Sequence, residues 1–278
     1  MATRLTETDI DRFARDGVLC PIPVAGAGEA ADWLGALEAI EAERAGRLPP
    51  ALNAKPHLLL PWLWDIVHDP RIVDPVADLL GPDIVCIGTS FIAKQPGDQQ
   101  YVAWHQDATH WGLSAPEAVT AWLAFTPSTA ANGCVCVVPG SHRGVLAHQD
   151  RRAANNLLGR GEELAIAVDE TEAVELILAP GEMSLHHPLV VHGSAPNEAG
   201  IRRVGFAIRY IPGHVHHTVG SAHLATRVRG ADHGHFAWEE RPEGPFHPEA
   251  VKRHRQSFRQ GMSVIFAGAP RTAPAAKG

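Results

Sequence analysis

The stretch Arg203-Val204-Gly205-Phe206-Ala207-Ile208-Arg209-Tyr210 alternates strictly between two kinds of residue. On a β-strand successive side chains point to opposite faces. Val204, Phe206, Ile208 and Tyr210 therefore share one apolar face, and Arg203, Gly205, Ala207 and Arg209 share the other. An arginine followed by two very small residues describes a charged anchor with space beside it. A guanidinium grips a carboxylate through two parallel hydrogen bonds, which makes Arg203 the candidate anchor. Arg202 takes that role if the register slips by one residue.

Outward from this strand, short β-like runs recur. Ile84 to Lys94 is β-rich, and Val119 to Thr126 reads Val-Thr-Ala-Trp-Leu-Ala-Phe-Thr. Cys134 to Pro139 follows an Asn132-Gly133 turn, and further strands are predicted over Ala165–Val168, Val174–Leu178, Met183–Val191 and Val204–Ile211. Such spacing predicts an antiparallel sandwich or barrel rather than βαβ units. Before Gly81 the periodicity is helical. Thr6 caps a helix that stops at Asp16-Gly17, Ala30 to Arg44 carries an apolar stripe, and Arg71 to Leu80 ends at Gly81-Pro82. Gln149 to Gly161 reads as a polar insertion, His214 to Pro248 as loop and Ala250 to Gln260 as a closing helix. The reading is a mostly β fold with flanking α-helices in one domain over residues 1–270. Helices occupy its first 80 or so residues, a lid or helix region spans 213–270, and residues 271–278 form a flexible tail.

Composition narrows the partners. Apolar residues make up 45% of the 278, and the formal net charge is -7 with acids and bases interspersed. That balance argues against nucleic acid or an anionic membrane as principal partner and leaves a small molecule. No apolar run approaches the ~20 residues of a spanning helix. The opening Met1 to Glu7 is polar, unlike a secretory signal, and Cys20, Cys86, Cys134 and Cys136 are dispersed. Reduced thiols in a cytoplasmic protein are the expectation.

The chemistry concentrates at His105 and Asp107, in Tyr101-Val102-Ala103-Trp104-His105-Gln106-Asp107. Two apart on a strand, both side chains reach one cavity while Gln106 points away. With His192, from Val190-Val191-His192-Gly193-Ser194, they make two imidazoles and one carboxylate. Such a set holds Fe(II) on one face and leaves positions open for a co-substrate and O₂. Thr109, His110 and Trp111 follow the first ligands and border the expected substrate pocket, with His214, His216 and His217 as a lid or edge.

An ordered series of motifs carries a resemblance over roughly residues 5–212. It runs through Lys94-Gln95-Pro96-Gly97, Trp104-His105-Gln106-Asp107, Ala121-Trp122-Leu123, Asn132-Gly133-Cys134, Pro139-Gly140-Ser141-His142 and Pro180-Gly181-Glu182, then His192-Gly193-Ser194 through Asn197 to Arg203. The chain resembles the phytanoyl-CoA dioxygenase-like family of Fe(II)/2-oxoglutarate-dependent oxygenases. The resemblance implies a double-stranded β-helix (jelly-roll, cupin-like) core. It implies that His105, Asp107 and His192 bind iron, that Arg203 binds the distal carboxylate of 2-oxoglutarate, and that Trp122 and Ser90 touch that co-substrate. Halogenating relatives replace the carboxylate ligand with a small residue. Asp107 is present here, so hydroxylation is expected, with 2-oxoglutarate and O₂ converted to succinate and CO₂. Two other classes use the same architecture: a cupin-like hydrolase or isomerase holding a redox-silent metal, and a non-catalytic binding protein. Neither needs a carboxylate anchor beside the metal.

Overall fold

The alternation over residues 203–210 is realised as a strand near the middle of a large sheet. The computed structural model describes residues 5–44, 46, 48–151, 153–158, 161–220 and 223–265, so the tail expected at 271–278 lies outside the described residues. Its helices are α1 (Glu7–Asp16), α2 (Ala27–Ala42), α3 (Pro61–Val67), α4 (Pro70–Leu80) and α5 (Pro248–Ile265). Its first strands are β1 (Val18–Pro23), β2 (Ile84–Lys94), β3 (Val102–His105), β4 (Val119–Ala124), β5 (Val135–Val138) and β6 (His148–Asp150). The later ones are β7 (Glu162–Leu164), β8 (Val174–Leu176), β9 (Glu182–His186), β10 (Val191–Ser194), β11 (Arg203–Pro212), β12 (Leu224–Arg229) and β13 (Ala237–Trp238).

Local chemistry sets the helix ends. The Thr6 hydroxyl accepts the Asp9 N–H at 3.2 Å while Asp9 Oδ2 accepts the Thr6 N–H at 3.1 Å, a reciprocal cap on α1. Gly17, at φ 75°, closes it in the left-handed region that glycine enters without strain. Asp69 caps α4, accepting the Arg71 N–H at 2.8 Å, and Pro70 opens the first turn where no N–H is needed.

The large sheet has the order β1-β9-β4-β11-β2-β12-β13, and the smaller one β3-β10-β5-β8. All pairings are antiparallel except β12 with β13. The two sheets stay separate rather than closing into a barrel. The apolar face of β11 packs outward: Val204, Phe206, Ile208 and Tyr210 are buried with Leu37, Leu63, Ile66, Ile72 and Val76 from α2, α3 and α4. The Tyr210 hydroxyl, buried among them, donates to the Val67 carbonyl at 2.9 Å. A second, smaller core lies between the sheets, where Trp122, Ala124 and Ala207 meet Val135, Val137, Leu176 and Val190. The mostly β jelly-roll expectation holds.

Several boundaries differ from the sequence reading. The run Met183–Val191 is two strands, not one: β9 ends at His186 in the large sheet and β10 begins at Val191 in the small one. Pro188, which cannot donate to a ladder, sits in the turn between them. The strand expected at Ala165–Val168 is displaced to Glu162–Leu164, where it pairs with β6. The stretch from His214 to Pro248 is not all loop, because β12 and β13 extend the large sheet from it. Helix α3 had no strong periodic signal in its seven residues.

Candidate metal and co-substrate site

β3 stops at His105, Gln106 stays extended, and Asp107 opens a single 3₁₀ turn that runs to His110. The two ligand candidates therefore do not share a strand; the turn brings the carboxylate round beside the imidazole. Gln106 does point away. Fully buried, its amide donates to the carbonyls of Gly144 at 2.8 Å and Leu189 at 2.7 Å and accepts the Leu146 N–H at 2.8 Å. It pins the segment between the two side chains that face inward.

His192 stands directly opposite His105 in the β10–β3 register, inside its strand rather than at the end, with ring centroids 4.1 Å apart. Asp107 Oδ1 lies 3.4 Å from His105 Nε2, and its Oδ2 accepts from Thr120 Oγ1 at 3.3 Å. One potential ligand atom from each of the three residues lies within 4.8 Å of the others, the one such group of His, Cys, Asp or Glu among the described residues. His105 is buried, while Asp107 and His192 each keep an edge open. Both rings are oriented alike. His105 Nδ1 meets the Ala103 carbonyl at 2.8 Å and His192 Nδ1 meets the Val190 carbonyl at 3.0 Å. Facing an acceptor, each Nδ1 carries a proton, which leaves each Nε2 turned to the centre.

Protonation states suit a cation. Burial and the neighbouring His105 push His192 down to about 4, which keeps it a neutral donor. Burial would raise Asp107, but the hydrogen bond with His105 and the fields of His192 and Arg209 hold it below the usual carboxylate range. Burial would lower His105, but the same contact raises it, so a cation entering the site would displace a proton from His105 Nε2. A further imidazole lies nearby: His186 is buried, 5.8 Å from the His192 ring, with Nε2 2.8 Å from Ser184 Oγ. Burial, then His192, pushes it down to about 3.

The inner face of the large sheet is organised in rows by its registers. Gly88, Arg209, Thr120 and His186 form one row across β2, β11, β4 and β9, and Ser90, Ala207, Trp122 and Ser184 form the next. Lys94 and Arg203 pair at the far end. Arg203 is fully buried; its Nη1 donates to the Gly133 carbonyl, and its Nε has no partner. Its guanidinium lies 5.4 Å from the Trp122 ring centre, and the indole Nε1 is likewise buried without a partner. The space beside Gly205 is taken by this indole, since a Cβ there would sit 1.9 Å from Trp122 Cζ2. Lys94, also fully buried, donates from Nζ to Ser194 Oγ at 2.6 Å and to the carbonyls of Ser194 and Ala195. Burial and then the charge of Arg203 push Lys94 down to about 7. Among the described residues no carboxylate pairs with either cation. Two buried cations and two orphaned donors are costly without an anion, and a small dicarboxylate supplies one. The residues fit such a group.

The remaining sequence candidates fall in different surroundings. Arg202 points to the helical side and grips Glu41 through two bonds of 2.7 and 2.6 Å. Ser90 shares the row of Ala207 and Trp122 and accepts from Arg209 Nη1 at 3.0 Å. The Thr109 hydroxyl turns back to the Gln106 carbonyl at 2.9 Å. His110 packs edge-on to His148, and Trp111 lies under the Arg209 guanidinium at 5.9 Å. His217 Nδ1 meets the Trp111 carbonyl at 2.9 Å, His216 stacks on His235 at 4.6 Å, and His214 meets Glu117 at 3.0 Å. Thr120 and His186 carried no sequence signal beyond strand parity, and Lys94 only its place in a motif of the resemblance, because their neighbours come from strands far apart in the chain.

Known proteins share this arrangement of the chain. A non-haem monooxygenase, ThoJ, in its apo form is 35% identical, with a TM-score of 0.82 over 93% of this chain and 97% of that one. CytC3 with Fe(II) and alpha-ketoglutarate is 25% identical, with a TM-score of 0.65 over 84% of this chain and 93% of that one. A probable phytanoyl-CoA dioxygenase of Caenorhabditis elegans is 29% identical over 152 residues, 51% of this chain and 49% of the worm protein. The chain spans about half the length of the curated relatives it matches. The family model described as phytanoyl-CoA dioxygenase (PhyH) matches residues 13–205, a span that holds the three ligand candidates, Lys94, Trp122 and Arg203. With the fold and most of its length in agreement, this chain belongs to the phytanoyl-CoA dioxygenase (PhyH) family.

Proposed function

We propose that the chain is a non-haem Fe(II)/2-oxoglutarate-dependent dioxygenase that hydroxylates a small molecule. The observation that carries this reading is the pair of buried, unpaired cations, Lys94 and Arg203, on the same inner face as Thr120, which touches Asp107. His105, Asp107 and His192 would hold the metal, and Arg203, Lys94 and the Trp122 indole N–H would receive the distal carboxylate of 2-oxoglutarate. Bound there, iron with 2-oxoglutarate and O₂ supplies oxidation of a C–H bond, with succinate and CO₂ as by-products.

The chain's own residues do the positioning. The Ala103 and Val190 carbonyls fix both imidazoles with Nε2 inward, and Thr120 steadies the carboxylate beside them. Lys94 ties the segment after His192 to the anion site through Ser194 and Ala195. A redox-silent hydrolase or a plain binding protein has no use for this deep cationic end. No helix among the described residues is long and apolar enough to cross a membrane, and a cytoplasmic place of action is part of this reading.

An anaerobic titration of metal-free protein with Fe(II) and 2-oxoglutarate tests it. We expect a visible metal-to-ligand charge-transfer band, lost in His105→Ala and weakened in Arg203→Ala. Folded protein that binds Fe(II) without the band would overturn the reading.

A further inference from the structure

β11 carries a second arginine on its inner face, and the anion site just described does not use it. Arg209 is six residues from Arg203, about 20 Å along a strand rising ~3.4 Å per residue. Its row neighbours are Gly88 on β2 and Thr120 on β4, and Thr120 in turn hydrogen-bonds Asp107. The triad therefore lies near the Arg209 row, while Lys94 and Arg203 mark the opposite end. The guanidinium is partly buried. Among the described residues it makes one hydrogen bond, to Ser90 Oγ at 3.0 Å, and no carboxylate ion-pairs with it. Asp107 is the acid whose ionisation it favours, and Asp107 is committed to the metal centre. There is room beside it, since a Cβ on Gly88 would meet nothing within 4 Å. Trp111 supplies an apolar wall, its ring 5.9 Å from the guanidinium carbon.

A half-shielded arginine with free donors, open space and an aromatic wall recognises an anionic head on an apolar body. With the co-substrate's distal carboxylate at the Arg203 end and its keto-acid end committed to the metal, an anion at Arg209 would belong to a different molecule. We propose that Arg209 is the substrate anchor, and that the substrate carries a carboxylate or phosphonate-type group attached to a planar or apolar body. This assignment rests on the triad being the reaction centre. Arg209 would hold the head so that the neighbouring carbon faces the open edges of Asp107 and His192.

Calorimetric titration of the full chain loaded with Ni(II) and saturating 2-oxoglutarate tests this, because the Arg203 end is then filled. The probes are phenylacetate, benzylphosphonate and the neutral phenylacetamide. We expect at least one of the two acids to bind, at least tenfold more tightly than the amide; which acid binds tells the two heads apart. Arg209→Gln should weaken that acid roughly tenfold to a hundredfold, the range for losing hydrogen bonds to a charged group, and Arg209→Lys should restore part of it. The affinity for 2-oxoglutarate should stay within about twofold in Arg209→Gln, on the scale where tenfold is ~1.4 kcal/mol, which also shows that the variant is folded. Equal binding of acid and amide, an unchanged affinity in Arg209→Gln, or binding of no probe would overturn the proposal. Loss of 2-oxoglutarate binding in Arg209→Gln would overturn it too, by giving Arg209 to the co-substrate. Failure of the co-substrate reading looks different: 2-oxoglutarate does not bind the wild type or ignores Arg203→Ala, while the acid probe still follows Arg209.

Discussion

Among the described residues two lysines lie in the interior, and they live under opposite arrangements. Lys55 is closed in. Its Nζ bonds Glu239 at 2.7 Å, Ser257 Oγ at 2.9 Å and the Leu224 carbonyl at 2.9 Å. Glu239 is itself held by Thr226 at 2.8 Å and Ser257, and His57 bridges Thr89 at 2.7 Å to Thr226 at 3.0 Å. Burial would raise Glu239, but Lys55 and His57 hold it below the usual carboxylate range. Lys94, by contrast, meets only a hydroxyl and two carbonyls, and its nearest charge is another cation, Arg203. The difference separates a staple from a socket. The first network is complete and ties the segment at Lys55 and His57 to β2, β12 and α5. The second has charge to spare, which the proposed 2-oxoglutarate would complete.

The largest effect should come from breaking the staple. Glu239→Ala leaves Lys55 buried without a counter-charge, so urea unfolding should show a loss of about 3–5 kcal/mol. Adding Lys55→Met should recover most of it. Equal stability of Glu239→Ala and wild type would erase the distinction between the two lysines. The socket should respond in the other direction. Lys94→Met removes a cation that the apo protein does not need, so its unfolding midpoint should hold or rise. Its affinity for 2-oxoglutarate should fall roughly tenfold or more, the scale of a lost charge-assisted hydrogen bond.

The smallest and most diagnostic effect is the pH dependence. Lys94 sits at about 7 in the folded chain against an ordinary 10.5. Between those values the unfolded chain binds a proton that the folded one does not, so apo stability from this group rises with pH and is flat below about 7. A bound anion favours the ammonium form, so binding above pH 7 must take up a proton. The affinity for 2-oxoglutarate should then be level below about pH 7 and decline above it, by at most about tenfold per pH unit. Calorimetry in buffers of different ionisation enthalpy would show the proton, and Lys94→Met should abolish both proton and slope.

Much of this was legible in the chain, for reasons that are local. The parity of Val204, Phe206, Ile208 and Tyr210 commits one face of β11 to the core, and Arg203 and Arg209 to the other. A slip of one residue would have buried Arg202 instead and exposed four large apolar side chains. The His-x-Asp spacing and the motif around His192 also pointed to residues that do converge. What could not be read is register. Nothing near Lys94 announces that its cross-strand neighbour is Arg203, or that Ser194 and Ala195 will close over it, because those contacts span about a hundred residues. The break between β9 and β10 has a local mark in Pro188, but Met183 and Leu185 before it and Leu189 to Val191 after it read together as one strand. Helix and strand boundaries in the His- and Gly-rich segment after His214 depend on packing against β2, which no local pattern encodes.

Gly205 leaves a mark on how the sequence can drift. Its missing side chain is the space into which the Trp122 indole fits, with 1.9 Å between a would-be methyl and the ring. A methyl at one position and an indole at the other are mutually exclusive. The two residues therefore form a single inheritable unit, and a descendant that changes one must change its partner in the same step or lose the wall of the proposed anion site.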